Sequence, residues 1–156
     1  MRRTDREVKD IAAIREILGG CKTLRIALAD ENGLYIVPVS FGYELEGIKL
    51  TLYFHSAREG RKVSAMTPSC PVAFETDCDI SVTEGEVPCR YGCLYKSIVG
   101  NGIASPVNDR GEKARALSVL MKHQTGREFS FSGEMTDAVA VFKIEALSYT
   151  AKARTE

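Results

Sequence analysis

The sequence predicts a mainly β fold of the α+β class, an antiparallel sheet or barrel with helices outside it. Three observations predict it. Segments with a two-residue hydrophobic period follow one another from residue 22 onward. Tight-turn signals, Asn32-Gly33 and Glu46-Gly47, join the first of them. The order is helix, three strands, short helix, several strands, helix, strand, which is not the βαβ alternation of a parallel sheet.

Each element has its own signal. Thr4-Asp5-Arg6-Glu7 has capping-box spacing, and Val8, Ile11, Ala12, Ile14, Ile17 and Leu18 recur at helical spacing. Gly19-Gly20 stops that pattern, so a helix is predicted over 5–18. Leu24, Ile26 and Leu28 alternate within 22–30. Strands follow over 34–45 and 48–55. Pro38 lies inside the first of these, and a residue without an N–H points to an edge, a bulge or an interruption. Residues 58–66 read as a short helix closed by Thr67-Pro68. Residues 71–77, 80–87 and 95–107 are strand candidates, with Gly100 and Gly102 allowing a bend. Asp109 opens a helix reaching His123, Gly126 follows it, and a last strand spans 138–147.

Composition bounds the function. The 156 residues fit one domain over 1–156, and 44% hydrophobic content supports a real core. Lys plus Arg and Asp plus Glu both number 21, which argues against a nucleic-acid binder but leaves room for a small basic pocket. No apolar run approaches the ~20 residues that span a bilayer. The charged start MRRTDREVKD, with its Arg2–Arg3 pair, does not read as a signal peptide, so a cytoplasmic protein without membrane contact is expected. The cysteines are Cys21, Cys70, Cys78, Cys89 and Cys93. An odd count argues against a disulfide scaffold, and C-x3-C at Cys89 and Cys93 has no second pair for zinc. Buried or partly buried free thiols are expected.

Candidate chemistry concentrates where the third strand meets the short helix. Ser56-Ala57-Arg58-Glu59 has capping-box spacing, so Ser56 is predicted to start the helix. Arg61 can grip two phosphate oxygens and Lys62 adds a point charge, which makes either a phosphate site or a solvated basic helix start. His55 at the strand end reads as a hydrogen-bonded turn holder, a ligand contact or an acid-base group. His123 suits a helix C-terminus as a cation. Glu75, Asp77 and Asp79 share a strand face, and a half-exposed strand accounts for them without metal.

Several stretches together resemble a known family. Residues 37–62 contain P-V-S-F-G-Y, L-Y-F-H-S-A and G-R-K; residues 89–104 end in G-x-G-x-A; residues 112–126 look like a late family helix. They resemble the flavin-binding split barrels related to pyridoxamine 5′-phosphate oxidase, and within them the 5-nitroimidazole resistance proteins. The resemblance implies a six-stranded antiparallel split β-barrel with flanking helices. It implies a homodimer with FMN at the subunit interface. The stretch Val37, Pro38, Val39, Ser40 and Phe41 would run beside the flavin ring, with backbone groups at its polar edge. Tyr53, Phe54, His55 and Ser56 would pass the ribityl chain and phosphate. Arg61 and Lys62 match the phosphate clamp, and a phosphate with about two negative charges suits it. Tyr95 and Ser97 match positions that reach the site from the partner subunit. His55 matches a histidine near the flavin, which makes it the leading catalytic candidate; Tyr95 is a weaker one. The chain departs from the pattern at Tyr91, which replaces a tryptophan-like residue, at Cys93, which replaces methionine, and at Thr150-Ala151-Lys152, where the family has T-G-K.

The function so implied is an FMN-dependent reductase of nitroaromatic or similar small aromatic molecules, supplied by a reduced electron donor. A flavin-binding protein without that activity is the first alternative. A split barrel that binds haem or a deazaflavin is the second. A pyridoxamine-phosphate oxidase proper is disfavoured, because the chain is short and has no second basic cluster for a substrate phosphate.

Overall fold

The computed structural model describes residues 3–155; Arg2, half of the Arg2–Arg3 pair, lies outside them. Seven strands form one antiparallel sheet: β1 (Glu7–Val8), β2 (Thr23–Asp30), β3 (Gly33–Glu46), β4 (Lys49–Ser56), β5 (Cys70–Thr83), β6 (Gly92–Pro106) and β7 (Ala140–Arg154). β6 also pairs with β7, so the ring β2-β3-β4-β7-β6-β5 closes as the six-stranded barrel. The seventh strand, β1, is two residues long and pairs with Ala151 and Lys152 of β7. Four α-helices flank the barrel: α1 (Ile11–Gly20), α2 (Arg61–Ala65), α3 (Arg110–Thr125) and α4 (Gly133–Asp137). Among the described residues no helix is long and apolar enough to cross a membrane.

Two apolar clusters hold this arrangement. The larger fills the barrel with Leu24, Ile26, Phe41, Leu52, Phe54, Ile98 and Ile144, joined by Ile14, Ile17 and Leu18 of α1. Phe54 and Phe142 stack there with ring centroids 5.4 Å apart. The smaller lies outside the barrel, where Ala116 and Leu117 of α3 cover Tyr53 and Val141. Gly42 explains how closely α3 approaches. A Cβ at that position would stand 2.5 Å from the Leu120 Cα and 2.6 Å from its nitrogen, so only glycine lets the helix backbone lie on the strand.

The barrel is split because β3 changes partners halfway. Its residues 33–40 pair with β2, whereas Phe41–Glu46 pair with β4. The β3–β4 ladder stops at Phe41 opposite Phe54. From Ser40 back to Gly33, β3 therefore presents one edge without a ladder partner among the described residues. Pro38 sits in this one-sided stretch, opposite Arg25, as an edge residue without an interruption.

Several sequence expectations need correction. The first helix is capped by Asp10 and starts at Ile11, the Asp10 side chain accepting the Ala13 N–H at 2.8 Å, because Glu7 and Val8 are drawn into pairing with β7. It also runs through Gly20. The two strands expected over 71–77 and 80–87 are one strand, β5, with a bulge at Asp79 (φ 54°) that β6 tolerates by a register shift. Strand β7 extends to Arg154, so Thr150-Ala151-Lys152 is mid-strand and not a turn. Its polar second half hid that extension. Helix α4, capped by Ser132, had no recognised signal. Cys89 and Cys93 are exposed, not buried, whereas Cys21 is buried. His123 donates to the backbone after α1: its Nε2 lies 2.7 Å from the Cys21 carbonyl, which can only accept, so the ring N–H is the donor. Burial lowers its pKa, so at neutral pH it is a neutral hydrogen-bonding ring and not the cation expected at a helix end.

Candidate functional site

The site candidates gather where β4 leaves β3 and turns into α2. Strand alternation sends Leu52, Phe54 and Ser56 inward and Tyr53 and His55 outward. Ser56 ends the strand and does not cap the helix. Gly60 holds that position at φ 125°, and α2 begins at Arg61. The capping-box spacing fails because residues 57–60 are needed to leave the barrel before the chain can coil.

Ser56 has the most informative environment. Its hydroxyl is buried, and no hydrogen-bond partner reaches the Oγ among the described residues. A buried hydroxyl without a partner costs about 1–3 kcal/mol. The preceding residue, His55, is exposed and carries no side-chain hydrogen bond or ion pair among the described residues. Lys62, half-buried on α2, is likewise unpaired among them. A buried orphan hydroxyl and an unpaired cation on one strand-to-helix junction fit an oxyanion such as a phosphate.

Arg61 behaves differently from its neighbour. Its Nε and Nη2 donate to the two carboxylate oxygens of Asp30 at 2.7 and 2.9 Å. The guanidinium lies over the Tyr35 ring, 4.4 Å from the centroid. The hydrogen bond from Arg61 holds the Asp30 carboxyl below the usual carboxylate range. Sequence reading placed Asp30 only at the end of a strand. Nothing in a 31-residue separation signals this ion pair.

Tyr53 is set apart from the junction. It lies beneath α3, donating to Glu44 Oε2 at 2.9 Å and accepting from Arg115 Nη2 at 2.9 Å. Burial, with help from Glu44, pushes its phenol up to about 12. Phe41 and Phe54 are fully buried core residues. They can meet a ligand only through their backbone. Val37 is half-buried and Val39 buried, whereas Pro38 and Ser40 face outward on the one-sided edge of β3.

Tyr95 and Ser97 lie far from the junction in the same chain. They pair with Arg154 and Lys152 at the end of β7, whereas His55 pairs with Val141 near its start. Lys152 comes eleven residues after Val141 on one strand, and strands rise about 3.3 Å per residue, so the two groups stand roughly 36 Å apart along it. One chain does not bring them together. The acidic run also has a structural account. Arg25 Nη1 donates to Glu75 at 2.9 Å and Asp77 at 2.6 Å, and Lys96 pairs with Asp79 at 3.1 Å.

Comparison with known proteins places this geometry. A sequence model of the family described as pyridoxamine 5′-phosphate oxidase matches residues 10–153. No curated protein matches the chain. The crystal structure of a candidate 5-nitroimidazole antibiotic resistance protein from Bacteroides thetaiotaomicron is similar, with TM-score 0.79 and 28% identity over 94% of this chain and 85% of that one. The flavocytochrome Anf3 from Azotobacter vinelandii shares the fold with TM-score 0.81 and 17% identity, over all of this chain and 72% of that one. An FAD-binding protein from Mesorhizobium loti shares it with TM-score 0.63 and 21% identity, over 94% and 96% of the two chains.

Proposed function

Because the chain belongs to the pyridoxamine 5′-phosphate oxidase family, we propose that it is a flavoprotein that binds FMN at the β3–β4 split and reduces nitroaromatic, 5-nitroimidazole-like or similar small molecules. The observation that carries the reading is the buried Ser56 hydroxyl without a partner among the described residues, on the same strand-to-helix junction as Lys62, which also has none among them. Family membership and the name of the similar Bacteroides protein support the flavin and the substrate class.

The residues divide the work by their chemistry. Lys62 supplies the positive charge for the phosphate, and the Ser56 Oγ donates a hydrogen bond to it. The unpaired edge of β3 from Val37 to Ser40 offers backbone N–H and C=O groups to a heteroaromatic ring, except at Pro38, which offers only its carbonyl. A bound flavin supplies hydride or electron transfer at its N5 atom. His55, exposed and without a side-chain partner among the described residues, is the acid-base candidate for proton exchange with a reduced substrate.

A second copy of the chain completes the reading. Tyr95 and Ser97 cannot reach their own chain's junction, so they would serve the partner's. Leu34 and Ile36, 89% and 67% exposed on the one-sided stretch of β3, supply an apolar face for that association.

The test begins with the absorption spectrum of the purified protein before and after adding FMN and desalting. Flavin bands that survive desalting, with tighter retention of FMN than of riboflavin, support the phosphate site. A protein that retains neither sinks it. A Soret band instead assigns the barrel to haem. Turnover of a 5-nitroimidazole with a reduced donor then separates a reductase from a flavin carrier.

A further inference from the structure

We infer that Asp30 is a positioning residue for the phosphate site, with Arg61 as its brace rather than a phosphate ligand. The inference rests on the flavin reading above. It starts from how little else holds the N-terminal turn of α2, because the buried Met66 at the C-cap anchors only the other end. The helix has five residues, none of them buried, and its Gly60 cap gives no side-chain hydrogen bond. Val63 and Ala65 touch the barrel core only from partial burial. A helix this short is not stable by its own backbone bonds.

Arg61 supplies the missing attachment. It ties the first turn of α2 to the β2–β3 hairpin by two parallel bonds to Asp30. Asp30 is itself fixed, because its Oδ1 also accepts the Asn32 N–H at 2.8 Å and its side chain is only 12% exposed. Tyr35 lies against one face of the guanidinium. The carboxylate therefore takes one edge of the fork and the ring one face. A phosphate on the same guanidinium would be brought up to the Asp30 carboxylate, a like charge. Lys62, the next residue, has no such partner among the described residues. Successive helical side chains diverge by about 100°. Fixing Arg61 on the hairpin thus fixes the direction of Lys62.

The two roles for Arg61 predict opposite results. If Arg61 were a ligand held back by Asp30, removing that charge would tighten FMN binding. If Arg61 braces, removal loosens α2 and weakens binding. FMN dissociation constants would be measured by fluorescence on the full chain for the wild type, Asp30→Asn, Lys62→Ala and the swap Asp30→Arg with Arg61→Asp. Bracing predicts at least fivefold weaker binding in Asp30→Asn and recovery to within about twofold in the swap, which restores the pair but removes the cation from position 61. Tighter or unchanged binding in Asp30→Asn overturns the inference, as does a swap that fails to recover. Unchanged binding in Lys62→Ala instead overturns the phosphate assignment. Hydrogen exchange of the residue 61–66 amides without flavin provides an independent readout. Bracing predicts faster exchange in Asp30→Asn and restored protection in the swap, and equal exchange in all variants overturns it even if FMN does not bind.

Discussion

Tyr53 and Ser56 lie three residues apart on β4, and both carry hydroxyls that folding removes from water. Beneath α3, Tyr53 is held between Glu44 and Arg115, and each of its neighbours is also paired. At the split, Ser56, the adjacent His55 and Lys62 of α2 have no side-chain partner among the described residues. One flank of the strand has its side-chain polar groups paired; the other does not. Buried polar groups in folded proteins are nearly always hydrogen-bonded, so the exception is what the proposed phosphate site accounts for. The paired flank serves the fold, and the unpaired flank is open to chemistry.

Substitutions can break or sharpen this contrast. The largest effect belongs to the α3 flank. Gly42→Ala drives a Cβ into the α3 backbone, which cannot move aside cheaply. Overpacking of this kind costs about 1–3 kcal/mol, so calorimetry should show a clear fall in Tm. An unchanged Tm would mean that α3 is loosely docked. Next is Lys62→Ala, expected to weaken FMN at least tenfold, about 1.4 kcal/mol, while Tm stays near wild type. Tyr53→Phe removes one hydroxyl from a satisfied network and should cost about 1 kcal/mol in chemical denaturation, without altering FMN affinity. Ser56→Ala reverses that pattern. It removes an unsatisfied group, so the flavin-free protein should keep or slightly gain stability, by up to ~1 kcal/mol, while FMN binding weakens. Equal destabilisation by both substitutions would erase the contrast.

The smallest effect is a pH dependence on the α3 side. His123 stands between Phe41 and Tyr43, and desolvation lowers its pKa from 6.5. The unfolded chain therefore binds a proton more readily than the folded one. The stability from neutral His123 is present above 6.5 and is lost as pH falls below it toward the folded value. Denaturation of the wild type and His123→Gln across that range should show a shallower slope in the variant.

Much of the fold was legible because it is local. Alternation found β2, β3 and β4, and Asp109 and Gly126 marked both ends of α3, where they serve as N-cap and left-handed C-cap. Asn32-Gly33 marked the hairpin, with Gly33 at φ 97°. The failures have physical reasons too. Capping-box spacing at Thr4 and Ser56 was present, but pairing with β7 took Glu7 and Val8, and the exit from the barrel took residues 57–60. The second half of β7 carries polar residues that obscure the alternation, yet its backbone pairs with β6 on both sides of a bulge at Leu147.

The junction of His55, Ser56 and Lys62 was visible as a cluster, since its members are adjacent in the chain. What each member does there was not. By itself the sequence determined the class of fold, the strand-to-helix junction and the family, because periodicity, turn chemistry and motif order are written along the chain. Tertiary structure alone decided that Arg61 is taken by Asp30, that Tyr53 is sealed under α3, and that Ser56 is left without a partner among the described residues. Those outcomes depend on which distant groups arrive beside each side chain, and hydrogen bonding and burial act through space rather than along the backbone.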